Sequence, residues 1–265
     1  MTSSTDILGS VIDHLRKRKL CRSIYQDLQM WKVDDFEKKN DHYTILLNYL
    51  GYCCQRITIK ANPFPSVTIF NTLNDSHIAK VQNDFLIAFY LLSSVLLYFV
   101  FLHQKFPEMN AGSAFSFVLN VERTRRCNAS RHFSKETQMM SSLLHNLLDV
   151  IEEMQIAQIE ISNLILIRFN SPSDEQLDLQ LSFINFQSGW KVNLVLDISD
   201  LSRGIYPSEV LPHKVESPAS TQYALSESML NGIRTAVGDL DPGYSRILRV
   251  CRCVSEAVQV SSSRQ

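Results

Sequence analysis

The chain has 265 residues, of which 45% are hydrophobic; that is enough apolar surface for one large or two ordinary packed domains, and it excludes disorder over most of the length. A formal net charge of −1 leaves no strong field to favour nucleic acid, anionic lipid or an acidic substrate. The cysteines at 21, 53, 54, 127, 251 and 253 form no CxxC pair and no apolar leader follows Met1, so a reduced cytosolic or nuclear setting is expected.

Val11, Leu15, Leu20, Ile24, Leu28 and Trp31 recur mostly at three- and four-residue steps, which predicts a helix within an N-terminal segment 1–33. It is a candidate end of a coiled coil, although the heptad pattern is too short to establish one. The basic run Arg16 to Lys19 reads as a solvated helix face and lends weak support to a nuclear protein. From His42 to Lys60, two β-rich runs meet near Gly51, and the prolines of "NPFPS" then impose an extended break.

Between Phe85 and Leu102 lie 18 residues without a charge, long enough for a membrane helix. The stretch "SAFSFVLNVE" is ambiguous: Phe115, Phe117, Leu119 and Val121 alternate as in a strand, while the same residues suit a short helix. Residues 136–156 are clearer. Met140, Leu143, Leu144, Leu147, Ile151 and Met154 line one helical face, with Ser134 and Thr137 as candidate caps.

The period then falls from 3.6 to 2. "IEISNLILIRF", "LDLQLSFINF" and "WKVNLVLDI" are consecutive strand candidates with short connections, so they predict an antiparallel meander. Two amphipathic helices follow, one carrying Leu225, Met229, Ile233 and Val237, the other Ile247, Cys251, Val254 and Val258. The expected fold class is therefore α+β, a meander covered by helices.

"LSRGIYPSEVLP", with Tyr206, Pro207, Leu211 and Pro212 placed directly after the meander, resembles the Tyr-Pro loop of RWD domains, relatives of the ubiquitin-conjugating fold. More specifically, "LCRSIYQDLQMWKVDDF" leading into "YTILLNYLGYCCQRITI", the helix at 136–156 and "ISNLILIRFNSPSDEQLDLQLSFINF" are similar to the C-terminal tandem RWD region of the kinetochore-null (blinkin) scaffolds, in their plant form. The resemblance implies a first RWD-like unit over 34–134, interrupted by an apolar insertion at 81–104, and a second over 135–265. It implies a non-catalytic module that docks an outer-kinetochore scaffold to the MIND complex through a subunit tail, serving chromosome-microtubule attachment and segregation in mitosis. A coiled-coil partner is implied as well, and no nucleic acid, cofactor or small-molecule substrate. The location implied is the nucleus, at the kinetochore of the centromere. Other readings are an RWD adaptor in ubiquitin or stress signalling, or a membrane-tethered protein using residues 85–102.

No catalytic or partner-binding residue emerges. GxSxG, GxGxxG, Walker and HExxH motifs are all missing. Cys251 and Cys253 lack the paired spacing of a zinc site and fall in a predicted helix rather than an activated loop, which argues against a thioester nucleophile. Trp190 and Tyr206 are expected in the core. The apolar stretch lies inside the first unit, where a span would separate the halves of one domain. Residues 81–104 instead read as a retained intron or an error in the gene model: they are rich in residues with U-rich codons, begin at Val81, whose codon starts with GU, and end near Gln104, one of whose codons is CAG.

Overall fold

A computed structural model of the chain describes residues 30–39, 41–60, 66–78, 109–119, 125–127, 130–218 and 226–260. Strands β1 (Trp31–Lys38), β2 (His42–Tyr49), β3 (Cys53–Lys60), β4 (Ser66–Leu73) and β5 (Arg125–Cys127) form an antiparallel sheet in sequence order. Helices α1 (Ala111–Leu119) and α2 (Ser130–Glu160) accompany it. A second antiparallel sheet, also in sequence order, is built from β6 (Leu164–Ser173), β7 (Gln176–Ile184), β8 (Lys191–Asp197) and β9 (Pro212–Glu216). Helices α3 (Glu227–Gly238) and α4 (Arg246–Val260) complete the chain. The class is α+β, as expected.

The first hairpin depends on backbone handedness. Leu50 and Gly51 take φ of 49° and 83°, and the Tyr52 N–H returns to the Tyr49 carbonyl at 2.9 Å, the geometry of a tight turn whose two central residues are left-handed. Beyond it Tyr49 opposes Cys53, Leu47 opposes Gln55 and Ile45 opposes Ile57, so the pleat sends one side of each strand toward the helices. Two polar side chains on that inner face are satisfied there. Gln55 Nε2 donates to Asn71 Oδ1 (3.1 Å), Asn71 Nδ2 to the Leu119 carbonyl (3.5 Å), and Thr137 Oγ1 to Gln55 Oε1 (3.2 Å), joining β3, β4, α1 and α2.

The ambiguous stretch is helical as far as Leu119, and Val121 lies outside the described residues. Ala111, Ala114, Phe115, Val118 and Leu119 are buried at helical spacing, whereas Phe117, which completed the apparent alternation, is only half-buried. At the N-terminal side the predicted stripe falls almost wholly outside the described residues, and its last member departs from the expectation: Trp31 opens β1. Tertiary contacts override the local period there. The Trp31 ring meets Tyr49 edge-on at 5.0 Å, and its Nε1 donates to Ser141 Oγ on α2 at 2.5 Å. β1 thus starts slightly before residue 34, and α2 slightly before residue 135. Residues 81–104 also lie outside the described residues.

The meander matches its reading. Trp190, Val192, Leu194, Leu196 and Ile198 are buried, while Lys191, Asn193 and Asp197 are not. The sheet gains a fourth strand, β9, which begins at Pro212, a position in a strand that tolerates a missing N–H. One apolar cluster runs from Tyr49 and Cys53 through α1 and α2 to β6–β9 and α4. Helix α2, with Leu143, Leu144, Leu147 and Met154 almost fully buried, is common to both sheets.

Candidate interaction surface

β1 is the strand least covered by the fold. Trp31 is half-buried, every residue from Lys32 to Lys38 is exposed, and among the described residues only β2 pairs with it. Its backbone polarity follows from two end bonds. The Leu50 N–H donates to the Met30 carbonyl (3.3 Å), and the Lys39 N–H donates to the His42 carbonyl (2.9 Å). Antiparallel ladders alternate, so Lys32, Asp35 and Glu37 direct their backbone groups toward β2. Trp31, Val33, Phe36 and Lys38 direct theirs toward the free edge. The register skips between Val33 and Asp35, which leaves Asp34 as a bulge.

The same outward residues carry side chains on the apolar face. Val33 opposes Leu47 and Phe36 opposes Ile45, yet Val33 is 65% and Phe36 58% exposed. Phe36 stacks on Tyr43 (6.0 Å between centroids), and the Lys38 ammonium lies 5.8 Å from the Tyr43 ring centre. An incoming strand would therefore meet main-chain donors and acceptors beside an aromatic strip, the requirements of strand addition. One acidic side chain covers a donor of the edge, Asp35 Oδ1 accepting the outward Phe36 N–H (2.8 Å), whereas Asp34 Oδ2 accepts from Asn48 Nδ2 on β2 (2.9 Å). On the opposite face a groove of about 320 Å³ between Asp35, Glu37, Lys39, His42 and Arg56 mixes both charges and selects no ligand sign. The other long edge strand, β6, is packed against α1.

The residues singled out in the sequence are structural. Trp190 and Tyr206 are 7% and 6% exposed. The Tyr206 hydroxyl donates to Glu153 Oε1, its ring stacks on Tyr244 (4.7 Å), and Glu153 Oε2 accepts the Leu248 N–H in the first turn of α4 (2.9 Å). The Tyr-Pro loop is thereby fastened to α2 and α4. Burial pushes the Glu153 carboxyl up, partly offset by these two bonds, and burial together with the neighbouring Glu153 pushes the Tyr206 phenol up. Cys251 is buried in α4 and Cys253 half-buried, and burial raises both thiols; Cys53 is pushed up to about 12. Thiols held in their protonated form are poor nucleophiles. The β1 edge was not legible, because a strand reading WKVDDFEK shows no alternation across its bulge. The one available signal was the isolated pair Val33 and Phe36 in a charged run.

The chain matches the family model of the Knl1 RWD C-terminal domain over residues 3–151, more than half of its length. It belongs to that family. The match takes in the first sheet, α1 and most of α2, and the second sheet lies beyond it. A search of the curated proteins gives no match. RWD domains are protein-interaction modules, so membership associates the chain with protein partners at the kinetochore and with chromosome segregation in cell division. Among the described residues no helix is long and apolar enough to cross a membrane; residues 85–102 are not among them.

Proposed function

We propose that the chain is a non-catalytic docking module that anchors an outer-kinetochore scaffold to the MIND complex, and that a tail of one MIND subunit adds as a strand to β1. The observation that carries this reading is the coincidence, at Val33 and Phe36, of outward backbone groups with exposed apolar side chains. Family membership supports the protein partner, and the burial of Cys53 and Cys251 supports a module without nucleophilic chemistry at those thiols. The two sheets, each accompanied by helices, are read as RWD units in tandem over 34–134 and 135–265. Residues 81–104 are read as a retained intron, or an error in the gene model, that interrupts the first unit.

Imaging the tagged protein in mitotic cells tests the placement. Paired dots at centromeres are the expected pattern. Diffuse cytosolic signal would favour an adaptor in ubiquitin or stress signalling, and a reticular pattern would favour tethering through residues 85–102. Either pattern overturns the kinetochore reading.

A further inference from the structure

We propose that the β1 edge selects an extended segment carrying a lysine or arginine flanked on both sides by apolar residues, the basic side chain lying against the Asp34–Asp35 bulge. The inference rests on the docking function above and adds the chemistry of what docks. Two outward backbone positions, Val33 and Phe36, flank the bulge and present apolar side chains on one face. An added strand that bonds to both must pass Asp34 and Asp35 between them. The Asp35 carboxylate now occupies the Phe36 N–H, so the incoming main chain has to displace it, and the freed negative charge then lies beside the arriving strand. A cation on that strand is attracted to it; a carboxylate would be repelled by both aspartates.

The same geometry disfavours a second copy as occupant. Antiparallel self-pairing of β1 that matches Val33 with Phe36 also matches Lys32 with Glu37, which is favourable, but it sets Asp34 against Asp35 twice at the centre. Four carboxylates then meet on the symmetry axis. The bulge thus acts against homodimers while it favours basic partners.

Fluorescence anisotropy on the full chain tests this with two labelled peptides of alternating valine and threonine, one with a central lysine and one with a central glutamate in its place. The lysine peptide is expected to bind about tenfold more tightly. The Asp34→Asn/Asp35→Asn double variant should lose that preference while still binding. Equal binding of the two peptides to the native chain, or a preference that survives in the double variant, overturns the proposal. Self-association of the native chain in sedimentation, abolished by Phe36→Glu, makes a second copy the occupant and also overturns it. A MIND tail that fails to bind while the peptides keep their preference counts against the partner named above and leaves the charge selection standing.

Discussion

Single residues show where the fold has no slack. Gly51 sits at φ +83°, and a Cβ there would come within 3.0 Å of the His77 ring, so a side chain is opposed both by backbone strain and by contact. Gly51→Ala is expected to cost about 1–3 kcal/mol in chemical denaturation. Glu153 is the second such residue. Its carboxyl is raised in the folded state, so its contribution to stability is full below the unfolded value near 4.5 and is lost as pH rises through the folded value. The stability of the native chain relative to Glu153→Gln should therefore improve as pH falls from 7 toward 5, read from melting temperatures at each pH. A glutamine can still donate to the Tyr206 oxygen and accept from the Leu248 N–H. Glu153→Ala can do neither, and should cost about 1–3 kcal/mol more. None of this polar fastening was visible in the sequence, where Glu153 is one acidic residue on a helix and its partners lie 53 and 95 residues away.

Elements divide by how regular their burial is. The meander β6–β8 was legible because apolar and polar residues alternate along β7 and β8, even though Asp178 and Ser182 on the polar face of β7 are buried as well, and the helix α2 because its apolar stripe is long. α1 was not settled, since Phe115 and Phe117 suit both periods over so short a run. β1 was missed as a strand: its bulge breaks the alternation, and its charged residues hold no hydrophobic face against the core. The exposure of β1 has a consequence for testing. Phe36→Glu removes a side chain that is 58% exposed, so it should leave unfolding within about 0.5 kcal/mol of the native chain while weakening partner binding. A binding defect accompanied by a large loss of stability would point to damage of the sheet instead.

At the scale of the whole molecule, continuity of the core matters more than the two-unit description read from the sequence. Leu143, Leu144 and Leu147 on α2 belong to one cluster that α1 shares with β6, so α1 covers apolar surface for both sheets. A fragment covering 109–265 should melt above one covering 130–265, because the shorter piece exposes the face of α2 and β6 that α1 packs against. Equal melting temperatures would show that the second sheet and its helices are sufficient alone. For the apolar stretch, sequencing spliced transcripts from dividing tissue should reveal a shorter message joining Lys80 to Lys105 or nearby, and its absence would contradict the retained-intron reading.

The central claim is that this chain holds a protein partner along the free edge of β1. Isothermal titration of the full chain with purified MIND complex measures it most directly. Saturable binding that falls at least tenfold in Phe36→Glu, with the melting temperature unchanged, is the predicted result. Binding of equal strength in the native chain and the variant would contradict it.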